Sequence, residues 1–202
     1  MDGFFDFIDL RTDEKKMTET RILGLDIETT GLDVSANEII EIGIAEYDPL
    51  HRSITNSYQS LVKPDQLVKE HITRITGIDN DMLVGAPRIS EIKEDIIKVI
   101  TGSLLVIHNA EFDIPFLQKF LTKELLTTYD IAVFDTLKFS RKLLDSSRYS
   151  LEFLIESLGL GHEEHHRAVA DARMCLKLFG HILDKRKDFL TMEIKEILKI
   201  IH

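Results

Sequence analysis

Two carboxylates, Asp26 and Glu28, stand two residues apart inside an otherwise apolar stretch, RILGLDIETTGL at 21–32. On a strand, the period of two sends both side chains to the same face. Two acids on one apolar face repel and resist desolvation unless a cation lies between them. A Lys or Arg partner would serve as well, but the adjacent residues are Ile27, Thr29 and Thr30. A bound metal ion is the reading this pattern favours over a structural pair. Ligands that are all carboxylates point to a hard ion, Mg²⁺ or Mn²⁺, rather than zinc.

Two further clusters carry the same kind of chemistry. Asp113 lies in IHNAEFD, near a helix start at Asn109 or nearer Pro115, which fits a first turn. The helix dipole there favours an ionised ligand, although an ordinary capping acid fits the position equally. In HHRAVAD, His166 and Asp171 are five residues apart, about 140° around a continuous helix. Both reach one site only if His166 precedes the helix and Asp171 sits on its first turns. Gly159 and Gly161 upstream suit such a loop. A loop histidine near a metal-held phosphate makes a good general base, because its pKa lies close to neutral. His162 and His165 read as surface or structural residues, with His165 the reserve for the base.

The elements that must position these groups follow from the hydrophobic pattern. RILGLDIE is a buried strand ended by the TTGL turn. EIIEIGIAEYD alternates Ile40, Ile42 and Ile44 against Glu41, Gly43 and Ala45, and SITNSYQSLVKP is a third strand stopped by Pro64. Short links between the three favour an antiparallel meander. Helix–strand alternation follows: SEIKEDIIKVI with Ser90 as N-cap, the strand SLLVIH, the helix FLQKFLTKELL and the strand IAVFD. TLKFSRKLL, SLEFLIESLGL and ARMCLKLFGHIL are further helices. The expected class is α/β, a mixed sheet covered by helices. Residues 1–20 read as an N-terminal arm with an apolar knot at Phe4, Phe5, Phe7 and Ile8, ahead of a body at 21–183. The tail, 184–202, reads as a helix whose Leu190, Ile194, Ile197, Leu198 and Ile201 dock on the body or meet a partner.

Composition narrows the function. The chain of 202 residues carries 35 Asp+Glu against 25 Lys+Arg, a formal charge of -10, which disfavours broad phosphate neutralisation. Phosphates remain accessible if cations held by carboxylates supply the positive charge. One cysteine, Cys175, excludes an internal disulfide and a Cys-based zinc site, and suits a reducing cytoplasm. The start MDGFFDFIDL has no basic segment and is no signal peptide, and no apolar run reaches membrane-span length.

In their order and on these elements, the three clusters resemble the motifs of the DEDDh (DnaQ-like) 3′–5′ exonucleases. That family includes the DNA polymerase III epsilon subunit, the exonuclease domain of PolC and ribonuclease T. DIETTGL looks like the first motif, HNAEFD the second and HHRAVAD the third; ITGIDNDML, AEFDIPFL and DTLKFSRKLL are also similar. The resemblance runs from about Arg21 to about Leu183 and implies a ribonuclease H-like fold with a five-stranded mixed sheet. It implies that Asp26, Glu28 and Asp171 hold one divalent ion, with Asp26 bridging to a second and Asp113 completing the set partly through water. His166 would take the proton from the attacking water. Thr29, Gly31, Leu32, Thr76, Gly77 and Asn109 would meet the substrate. Many relatives have His where this chain has Thr76, and Leu32 has a second reading as a turn residue packed on the core. The implied activity is release of 5′-mononucleotides from the 3′ end of single-stranded or frayed DNA, alone or as a proofreading subunit of a DNA polymerase. An RNA-trimming enzyme and a catalytically idle adaptor are the alternatives, and all five motif residues are retained.

Overall fold

Arg21–Thr29 is the longest apolar run before the first turn signal, and it forms the central strand, β1, of a five-stranded sheet. The computed structural model describes residues 10–161, 163 and 167–201. Phe4, Phe5 and Phe7, and the histidines at 162, 165 and 166, lie outside the described residues.

The sheet order is β3-β2-β1-β4-β5, with β2 at Ile39–Asp48, β3 at Ser53–Leu61, β4 at Ser103–Ile107 and β5 at Ala132–Asp135. β1, β2 and β3 form the expected antiparallel meander, and β4 and β5 add in parallel. Parallel pairing requires crossovers, and helices supply them. The helices are α1 (Leu10–Asp13), α2 (Glu70–Thr76), α3 (Ile89–Ile100), α4 (Ala110–Phe120), α5 (Leu125–Thr128), α6 (Thr136–Leu143), α7 (Leu151–Ser157), α8 (Ala168–Lys185) and α9 (Ile194–Leu198). One face of the sheet packs under α8 through Ile22, Ala45, Leu104, Met174, Leu178 and Phe179. The other packs on α3 and α4 through Leu25, Ile44, Ile97, Leu105, Ile114 and Leu117.

Coverage on both faces extends to β2. Glu41, Gly43 and Ala45, which alternate with the isoleucines in sequence, are buried like the isoleucines opposite them. The reason is α8, which lies directly on that face. Some local expectations shift. Arg88, not Ser90, is the N-cap of α3, and its N–H donates to Glu91 (2.7 Å). α4 starts at Ala110 and carries Pro115 inside it, beyond the first turn. The C-terminal segment is not one helix: 3₁₀ turns at Lys187–Leu190 and Lys199–Ile201 flank α9. It docks nonetheless, burying Phe189, Ile194, Ile197 and Leu198 in the core beneath α8. Met17 is buried in the same core, and Lys16 bridges to Glu193, so residues ahead of Arg21 brace the tail. Among the described residues, no helix is long and apolar enough to cross a membrane.

Candidate active site and metal centre

The parallel strands β1, β4 and β5 end on the same edge of the sheet, where open α/β sheets commonly place ligands. Asp26 and Glu28 occupy the end of β1. A register shift between Glu28 and Thr29 bends the ladder there, as bulges beside sites do. Asp171 comes from the first turn of α8, lying over the same strand. One carboxylate oxygen each from Asp26, Glu28 and Asp171 gathers within 4.8 Å of the others. Asp113 projects from the start of α4, after β4, and is 3% exposed.

This geometry sets the electrostatics. Burial, then the charges of Asp113, Asp171 and Glu28, hold the Asp26 carboxyl well above the usual range. Burial and the Asp171 charge push Glu28 up to about 7, while the Arg167 guanidinium pulls the other way. Asp113 is likewise raised, first by burial, although the Ile27 N–H bonds to it. The dipole argument from sequence therefore captured only the weaker influence on Asp113. Acids forced together in this way fit a hard divalent cation, which would reverse the shifts by favouring the ionised forms.

The residues expected to meet a substrate separate into two groups. Leu32 is 84% exposed, which excludes its reading as a core-packed turn residue. A side chain at Gly31 would place Cβ 2.6 Å from the Asn37 amide oxygen, so the backbone stays bare beside Leu32. Thr29 and Thr76, in contrast, use their hydroxyls internally. Thr29 donates to the Gly31 carbonyl (2.9 Å). Thr76, 4% exposed, donates to Ile72 O (3.1 Å) and accepts from the Ile78 N–H (3.1 Å), closing α2 ahead of Gly77, its C-cap. Asn109 caps α4 in a left-handed conformation (φ 73°), which Asn tolerates better than most residues.

Three features of the site were not read from the sequence. Glu41 lies opposite Glu28 in the β1–β2 register and is fully buried. It accepts from Arg167 Nη2 (2.7 Å), the Ala168 N–H (2.8 Å) and Gln59 Nε2 (2.5 Å). Asp135, at the end of β5, accepts from Leu137 N–H (2.9 Å) in α6 and from Asn109 and Ala110 N–H (3.2 and 3.1 Å) at the start of α4. Glycines let α8 approach the sheet: a Cβ on Gly43 would lie 2.1 Å from the Ala168 carbonyl carbon, and one on Gly24 2.5 Å from Ala172 O. The IVF-rich strand ending in Asp just before a helix was a usable signal for Asp135 as an N-cap. Nothing local marked Glu41.

Comparison with known proteins places this geometry. The RNase_T (Exonuclease) family model matches residues 23–179. The DNA polymerase III epsilon subunit of Treponema pallidum is 36% identical over 157 residues, covering 76% of this chain and 72% of that protein. The PolC-type DNA polymerase III of Thermotoga petrophila is 35% identical over 173 residues, 86% of this chain. This chain spans only 12% of that polymerase and 14% of each of two other PolC-type enzymes it matches. Among solved structures, exonuclease X in complex with 5′-overhanging duplex DNA aligns with a TM-score of 0.69 at 25% identity, covering 90% of this chain and 99% of that one. Escherichia coli exonuclease I with a dT13 oligonucleotide shares the fold at 16% identity (TM-score 0.73), over 85% of this chain and 43% of that one. The fold is ribonuclease H-like, and the chain belongs to the RNase_T, DnaQ-like exonuclease family.

Proposed function

We propose that this chain is a 3′–5′ exodeoxyribonuclease that releases 5′-mononucleotides from single-stranded or frayed ends. The observation that carries the reading is the convergence of Asp26, Glu28 and Asp171 within 4.8 Å at the carboxyl edge of the sheet. These three residues would hold the divalent ions, and Asp113 would add negative charge beside them. Oxygen-only donors suit Mg²⁺ or Mn²⁺. When bound, such ions supply positive charge to the attacking and leaving oxygens of an in-line phosphodiester displacement. His166 takes the proton of the attacking water on an imidazole nitrogen, a task suited to a group titrating near neutrality. Exposed Leu32 offers apolar surface to the terminal nucleotide, and the bare backbone at Gly31 lets the sugar–phosphate approach. Thr29, Thr76, Gly77 and Asn109 act by shaping this wall, since the two threonine hydroxyls are engaged within the chain.

Names of relatives support a role beside a DNA polymerase. Both kinds of sequence relative are DNA polymerase III components, and proofreading is the task that joins such an activity to synthesis. The test is a side-by-side digestion of matched 5′-labelled DNA and RNA oligonucleotides with Mg²⁺, Mn²⁺ or chelator. A ladder shortened from the 3′ end on DNA, and abolished by chelator, is expected. Faster shortening of RNA would reassign the chain to the ribonuclease T-like branch. Intact oligonucleotides with both metals would make it an idle adaptor.

A further inference from the structure

Glu41 is a buried acid beside the metal centre with no part in the proposed ligand set. It lies across the β1–β2 ladder from Glu28, and its charge reaches both Asp26 and Glu28. A fifth carboxylate so close raises the repulsion the site must bear. Its retention there needs a reason, and its hydrogen bonds supply one.

Both carboxylate oxygens are engaged. Oε1 accepts from Arg167 Nη2 and Nε (2.7 and 3.1 Å) and from Gln59 Nε2 (2.5 Å). Oε2 accepts from the Ala168 backbone N–H (2.8 Å) and more distantly from Arg167 Nε (3.4 Å). Ala168 is the first residue of α8, so one of the helix's unsatisfied N–H groups ends on Glu41. Arg167 is the N-cap, and its carbonyl accepts from the N–H groups of Ala170 (2.8 Å) and Asp171 (3.0 Å). Asp171 is therefore one hydrogen bond from Arg167, which is itself forked onto Glu41. Glu163 forms ion pairs with Arg173 and Lys177 of α8 (2.9 and 2.8 Å).

We infer that Glu41 is a positioning residue for the metal centre, fixing the first turn of α8 so that Asp171 meets Asp26 and Glu28. This rests on the metal-dependent nuclease reading above. A neutral or displaced partner at 41 would let the helix start drift, and sub-ångström shifts matter in a ligand set this tight. The same fork holds the Arg167 guanidinium beside Glu28, where it offsets part of the carboxylate repulsion. Arg is suited to this contact and Lys is not, because a planar guanidinium presents two N–H groups at fixed spacing, here Nη2 and Nε, to one carboxylate.

Glu41→Gln and Arg167→Lys test the inference. Gln keeps the size but turns an amide N–H₂ against donors; Lys keeps the charge but loses the fork. Mn²⁺ affinity is measured by titration calorimetry at 25 °C, alongside steady-state hydrolysis of a DNA oligonucleotide and thermal unfolding. Each variant is expected to bind Mn²⁺ about tenfold more weakly and to lose about 10- to 100-fold in kcat, with KM within about twofold of the parent. A role confined to folding would lower Tm and leave the affinity parental, which overturns the inference. If Glu41→Gln fails to fold, Arg167→Lys decides alone: weaker Mn²⁺ binding upholds the role and parental binding removes it. A parent that takes up no Mn²⁺ at all defeats the metal-centre reading itself, and Glu41 with it. A parent that binds Mn²⁺ beside variants that bind equally well defeats only the role of Glu41.

Discussion

Acids at the carboxyl edge of the sheet are of two kinds. Glu41 and Asp135 receive backbone and side-chain N–H groups from the chain itself, so their charge is answered on the spot. Asp26, Glu28 and Asp171 are pressed against one another, and the charges of four other acids act on Asp26. The first kind locks helix starts: α8 through Glu41, and α4 with α6 through Asp135. In the second, the Arg167 guanidinium offsets part of the repulsion on Glu28, and a bound cation would offset more. The two kinds differ in burial as well as in counter-charge: Glu41 and Asp135 are fully buried, whereas Asp26, Glu28 and Asp171 are half-buried.

Substitutions in the two sets should act in opposite ways. The largest effect is expected from Asp26→Ala, which should abolish mononucleotide release from a 5′-labelled strand in Mg²⁺; retained activity would break the assignment of the second set. Next, His166→Ala should lower turnover by about 10²–10⁴-fold while Mn²⁺ affinity stays within about twofold. Turnover of the parent should fall below about pH 6.5, where a free imidazole is protonated. If His165→Ala has the larger effect, the base is the neighbouring histidine.

Smaller effects sharpen the contrast through stability. Asp135→Asn should lower Tm by roughly 5 °C, because an amide N–H₂ would face backbone donors. Asp26→Asn, measured in chelator, should raise Tm by about a few degrees by removing a carboxyl whose ionisation the neighbouring acids oppose. Equal signs for the two would erase the distinction. Finally, the metal-free protein should lose stability as pH rises from about 4.5 through about 7. Glu28 is raised from an ordinary carboxylate value to about 7, so over that window the folded chain holds a proton that the unfolded chain has released. Asp26 and Asp113, also raised, act in the same direction. Unfolding scans at pH 5 and pH 8 with chelator, then with Mn²⁺ at pH 8, should show a fall and its recovery.

Much of this was legible before any coordinates. Strand boundaries came from apolar runs closed by turn residues, and the Asp-x-Glu spacing announced a shared face because a strand has no other way to orient them. Asp171 was legible only as part of a motif, since its meeting with Asp26 depends on how α8 crosses the sheet. Glu41 was hidden by its own pattern: Ile-Glu-Ile-Gly-Ile reads as a half-wet strand. Its burial depends on a helix contributed more than a hundred residues later. The neighbours of Glu28 in sequence offered no cation, and the one that stands beside it, Arg167, arrives by the same route. The continuous tail helix failed for a comparable reason, as its apolar side chains are satisfied by docking in short turns rather than along one straight face.

The approach of α8 to Gly43 means that the accuracy of this site depends on atoms that are missing. A single methyl group there would overlap the backbone of Ala168 and Val169 and lever the helix start outward. The disabling lesion would then lie in a residue with no functional group, one that no inspection of ligands or bases would nominate. A search for loss-of-function variants should accordingly return Gly43→Ala beside the acids, as an inactive protein whose chemistry is intact but out of reach.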